Sequence, residues 1–175
     1  MFRTTTVLLL ICFILTKEAG ARTVLKFTNA KCESFNKSWA VINECRLRAF
    51  KRNLVGLNIN ITLLHPAHDI KLAIVFLKRA NGYKPFVLNT TLNACEYILK
   101  KNNPVANLVY PLFRDFSNIN HTCPYVGDQI LKNFYTRTEL FRVIFPNGDY
   151  VVLLSWILRN IKTFTTDVYF TVMTT

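Results

Sequence analysis

After residue 21, no stretch of about 20 residues in this chain is free of charge. A membrane-spanning helix needs roughly that many apolar residues, so no later segment reads as an anchor. There is no CxxC pair and no Cys/His cluster at zinc spacing, which argues against a structural metal site. No GxSxG elbow or paired-carboxylate motif occurs. Asp69, Asp115, Asp128, Asp149 and Asp167 stand apart, near expected strand or helix ends, and read as turn and capping residues. His65-Pro-Ala-His68 has no acidic or cysteine partner at ligand spacing and reads as a turn. The sequence therefore points away from an enzyme, and no cofactor or metal is expected. Acidic residues are scarce, 10 against 22 Lys and Arg. The basic residues are dispersed in pairs such as Lys51-Arg52, Lys78-Arg79 and Lys100-Lys101, with no arginine-rich run. That pattern suits a solvated basic surface better than nucleic acid, which is not expected as a partner.

What the chain does have begins at its start. Arg3 precedes the apolar run Val7–Leu15, and Ala19-Gly20-Ala21 supplies small residues at the spacing a signal peptidase reads. Residues 1–21 are predicted to be a secretory signal peptide, leaving one extracellular domain over 22–175. Removing Arg3, Lys17 and Glu18 takes two cations and one anion away, so the formal charge of +12 becomes +11. Four cysteines remain: Cys32, Cys45, Cys95 and Cys123. An even number in a secreted domain implies two disulfides, with three possible connectivities. Four sequons, at Asn36, Asn60, Asn89 and Asn120, are expected to carry glycans and to face solvent.

The apolar pattern is mainly that of strands. Val24–Cys32 and Trp39–Phe50 flank a polar stretch and read as a hairpin. Cys32 and Cys45 would then face each other across it and pair. Leu57–Leu64 alternates, with Ile59, Ile61 and Leu63 on one face and Asn58, Asn60 and Thr62 on the wet one. Ile70–Lys78 and Tyr83–Leu92 flank Asn81-Gly82, a hairpin signal, with Asn89 outward. From Asn93 to Ser117 the period becomes helical, interrupted by Pro104 and Pro111. This predicts a broken helix joined near Asn102–Pro104, closed onto the sheet by Cys95–Cys123. Strands then resume at Gln129–Tyr135, Leu140–Phe145, Tyr150–Leu158 and Thr165–Met173, with a second hairpin turn at Asn147-Gly148. Eight or nine antiparallel strands with one-sided apolar faces predict a two-sheet sandwich with one helical crossover.

Fourteen phenylalanines and seven tyrosines are present, many on inward positions. Phe76, Phe86, Phe113, Phe116, Phe141, Phe145, Trp156 and Phe170 are the candidate lining of an apolar pocket. The same residues would also serve a solid core, and pattern alone does not separate the two.

Three pieces carry a resemblance. They are Asn120-His-Thr-Cys-Pro-Tyr-Val-Gly127, Phe145-Pro-Asn-Gly-Asp-Tyr150 and the final Tyr169-Phe-Thr-Val172. With Cys32, Cys45 and Asn93-Ala-Cys95-Glu they resemble a large insect family of secreted proteins, mostly of unknown function, that includes the CheB chemosensory proteins. That family is distantly similar to the ML lipid-recognition superfamily, whose two-sheet sandwiches hold a lipid between the sheets. The resemblance implies an ML-like β-sandwich that carries or presents a lipid or other small hydrophobic ligand, with a chemosensory role and a membrane surface or receptor as further partner. It carries over no catalytic residue. The competing reading is an extracellular protein-interaction module with a solid core. A true immunoglobulin domain is disfavoured, because Trp39 lies between cysteines only 13 positions apart.

Overall fold

The computed structural model describes residues 23–52, 54–136 and 145–174. The expected signal peptide lies outside the described residues. So does the strand expected over Leu140–Phe145 apart from Phe145 itself, and with it Phe141.

Eight strands are described: β1 (Thr23–Ser34), β2 (Ala40–Lys51), β3 (Leu54–Ala67), β4 (Ile70–Ala80), β5 (Gly82–Asn93), β6 (Tyr125–Phe134), β7 (Gly148–Leu158) and β8 (Ile161–Thr174). Between β5 and β6 run α1 (Ala94–Lys100), α2 (Pro104–Phe113) and a 3-10 turn over Arg114–Phe116. Five strands form one antiparallel sheet in the order β1-β8-β7-β4-β5, and three form the other in the order β2-β3-β6. The two apolar faces close on each other, giving the expected mainly-β sandwich.

One expected pairing is overturned. β1 and β2 are not a hairpin: β1 pairs with β8 and β2 with β3, in different sheets. The Ser34–Ser38 stretch is a crossing between layers, and Phe35 N and Asn36 N are held by Thr163 O of β8 at 2.8 and 3.2 Å. Chain proximity and alternation do not distinguish a hairpin from such a crossing, because both flanking strands present one apolar face. The Cys32–Cys45 bridge nonetheless forms, with Cα atoms 6.0 Å apart. It therefore staples sheet to sheet. Cys95–Cys123 joins the start of α1 to the residues just before β6, Cα atoms 5.5 Å apart.

The broken helix follows from its caps. Asn93 Oδ1 accepts from Glu96 N, starting α1, and Lys101 ends it in the left-handed region at φ 51°. Asn103 Oδ1 accepts from Ala106 N, and Pro104 sits in the first turn of α2, where its missing N–H costs nothing. Pro111 is accommodated inside α2. The helices bring Tyr97 and Ala106 into the same core as Ile74, Phe76 and Leu92. They thus cover part of the five-stranded sheet that the narrower three-stranded sheet leaves. The residues after the 3-10 turn protect the β6 edge: Asn118 Oδ1 accepts from Ile130 N at 2.7 Å and its Nδ2 donates to Asp128 O.

Asn58 departs from its expected place on a wet face. It is only 5% exposed. Its Nδ2 donates to Gly56 O at 3.2 Å, and its Oδ1 accepts from Asn133 N at 3.0 Å. Asn133 has φ 52°, and its backbone lies where a Cβ on Gly56 would be, 2.9 Å from Cα. This local fold of β6 over β3 removes water from the outer face at that one position.

Candidate functional site

The interior splits into two apolar clusters. At one end, Phe76 of β4, Tyr150 of β7 and Phe170 of β8 meet Phe145 and Phe86 of β5. Inward register places them: Phe170 pairs with Tyr150, and Phe76 with Val152 one step away. Tyr150 is fully buried. It stacks on Phe170 at 5.5 Å and meets Phe86 and Phe145 edge-on at 5.4 and 5.3 Å. Its hydroxyl donates to Pro146 O at 2.7 Å, so the one polar atom in the ring cluster is satisfied. Lys78 stands at the rim, its Nζ 5.7 Å from the Phe86 ring centre and 5.5 Å from that of Tyr150. Arg79, the next residue, turns to the other face and approaches Asp149 at 3.7 Å.

At the other end, Trp156 stacks on Phe164 at 5.5 Å and donates from Nε1 to Thr166 Oγ1. This cluster includes Ala40, Ile61, Leu63, Ile70 and Tyr125. Burial pushes the Tyr125 phenol up to about 12, and its hydroxyl donates to His121 O. Of the expected pocket residues, then, Phe76, Phe86, Phe145 and Phe170 come together and Trp156 lies apart. Phe113 and Phe116 lie in two further ring sets beside the helices. Phe113 meets Tyr110 at 5.4 Å, and Phe116 meets Phe134 and Tyr135. Lys101 covers the first set, 4.8 and 4.3 Å from the rings of Tyr97 and Tyr110, whose phenols burial also raises.

Between the two ends the inward side chains are covered less completely. Val152, Leu154 and Trp156 face inward on β7, the middle strand of the larger sheet. All three keep accessible surface, as do Leu72 on β4, Ile59 on β3 and Ile98 on α1. The outward neighbours Leu153 and Ser155 fall in the same half-buried range, so midway along β7 the inward face is no better covered than the outer one. A solid sandwich would bury the inward set fully.

Sequence reasoning missed Tyr150 and the pair Val152 and Leu154. Period-two alternation from Trp156 passes through all three, so the signal was available.

A model of the family described as "Protein of unknown function (DUF1091)" matches residues 72–152, from within β4 into β7. The match spans Cys95, Cys123, the helices and most of the ring cluster. No curated protein matches the chain. The family description names no activity, so function rests on the site.

Proposed function

We propose that this is a secreted domain that binds a lipid or other small apolar ligand between its sheets, holding it without chemistry. The carrying observation is the accessible surface on Val152, Leu154 and Trp156, inward-facing side chains of a central strand. Apolar surface left reachable inside a sandwich is what a ligand tail would cover, at roughly 25 cal/mol per Å². Lys78 at the rim of the rings suits a polar or anionic head. The helical cover between β5 and β6 is the part of the wall without sheet hydrogen bonds and is the natural entry. Secretion is supported by the basic, apolar start of the sequence and by two disulfides, which persist in oxidising compartments. No helix among the described residues is long and apolar enough to cross a membrane.

A second reading, an interaction module with a filled interior, is favoured by the close ring packing around Tyr150. Native mass spectrometry of the protein secreted from insect cells, with titration of a fluorescent fatty acid, separates the two. The carrier reading expects a co-purifying or titratable ligand at one per chain. Absence of both would overturn it and leave the interaction module.

A further inference from the structure

The end of the sandwich where β1 crosses to β2, β3 approaches β4 and β7 turns into β8 leaves large apolar side chains in water. Phe35 is 49% exposed, Leu64 47% and Ile161 59%. These are not separate accidents of three loops, because the backbone ties them together. Phe35 N and Asn36 N donate to Thr163 O, two residues from Ile161, and Leu64 N donates to Trp39 O at 2.9 Å. Cations surround them: Lys162 Nζ lies 4.8 Å from the Phe35 ring centre and the Arg159 guanidinium 5.6 Å from that of Trp39. His65 packs on Trp39 at 5.0 Å. An apolar cluster held rigidly in solvent marks a surface that something covers.

The sequon Asn36-Lys37-Ser38 lies in the midst of it. Ser38 Oγ donates to Asn36 Oδ1 at 2.7 Å, while Asn36 Nδ2, the atom a glycan would occupy, makes no hydrogen bond among the described residues. Asn60 differs. It sits in the middle strand of its sheet, its Oδ1 accepts from Asn43, and the Thr62 hydroxyl of its sequon is engaged by both Asn43 and Asp128.

We propose that Asn36 carries an N-linked glycan whose first sugars lie across Phe35 and Ile161 and cover this patch. A pyranose presents a C–H face that packs on an aromatic ring, and its hydroxyls can accept hydrogen bonds from Lys162 and Arg159. The inference rests on secretion but not on a ligand between the sheets.

The test uses the full chain expressed in insect cells. Glycopeptide mass spectrometry reads occupancy at Asn36, and binding of a hydrophobic fluorescent dye reads patch exposure. Asn36→Gln and Ser38→Ala remove the sequon through different atoms, and Asn89→Gln is the control. The expected result is a glycan at Asn36 and a several-fold rise in dye fluorescence in both sequon variants but not in the control. Adding Ile161→Ser should reverse the rise. An unmodified Asn36 peptide, or dye binding that ignores the sequon, overturns the proposal. Binding of the wild-type chain to anionic vesicles through Phe35 would also overturn it, making the patch a membrane contact. Failure of the chain to reach the medium would sink the secretory reading along with it.

Discussion

Asp167 lies on the outward face of β8, in register with Lys31 on β1 and Leu153 on β7. Burial raises its carboxyl above the usual aspartate value; Lys162 and Lys31 pull the other way, and Glu33 adds to the rise. A carboxyl raised by folding is protonated more readily in the folded chain. Its charge is therefore a cost that is fully present above the raised value and gone below the ordinary one. Asp167→Asn removes that cost. Its thermal midpoint should exceed the wild type's at pH 7, and the difference should shrink to nothing as pH falls below the ordinary aspartate value of about 3.9. Thermal scans of both proteins across that range check it, and a variant less stable at pH 7 would show that the lysines outweigh burial. Glu44 runs the opposite way. Its bond to Arg46 lowers its carboxyl, with Arg48 assisting, so its contribution is lost on acidification. Comparing Asp167→Asn with the wild type leaves Glu44 the same in both and so keeps the two effects apart.

At the scale of elements, the disulfides do different work although the loops they close are both short. Cys32 and Cys45 lie 13 positions apart and form the covalent link between sheets; Cys95 and Cys123 lie 28 apart and tie the helical cover to the residues before β6. In the chain-entropy model their removal costs about 3 and about 3.5 kcal/mol. The consequences should differ more than the energies. Replacing Cys95 and Cys123 by serine should loosen the helical segment first, read as faster amide exchange over Ala94–Phe113 with β1 and β8 still protected. Replacing Cys32 and Cys45 should lower the whole transition. Equal exchange profiles would show that the two bridges are interchangeable. The pairing of Cys32 with Cys45 was legible in the sequence while its meaning was not. Alternation says which face a cysteine occupies, and it does not say which sheet the next strand joins. The helix break was legible for a firmer reason: Asn93, Asn103 and Pro104 fix the caps locally, so no distant partner was needed to place them. Asn58 was misread because its water is excluded by Asn133, 75 positions away.

For the molecule as a whole, the open question is how the five-stranded sheet and its shorter partner share their interior. The two-sheet sandwich and its described strands followed largely from period-two patterning, but a filled and a hollow sandwich have the same pattern. The difference lies in volume, which a sequence does not display. Leu154 offers a direct probe, since it faces inward midway along β7, between the ring cluster around Tyr150 and the stack of Trp156 on Phe164. Leu154→Trp adds a large, mainly apolar group there, with one N–H donor. If the middle of the sandwich is open to a ligand, the indole occupies space already present. Stability measured in denaturant should then change by less than about 1 kcal/mol while fatty-acid binding is lost. In a closely packed interior the same insertion forces neighbours off their rotamers and costs about 1–3 kcal/mol. Leu154→Ala sharpens the contrast. A solid core should lose about 2–5 kcal/mol on that truncation, whereas a partly accessible side chain should lose less and leave room for a bulkier ligand. A large loss from both substitutions, with no binding by the wild type, would count against the carrier reading and in favour of a module that works through its surface.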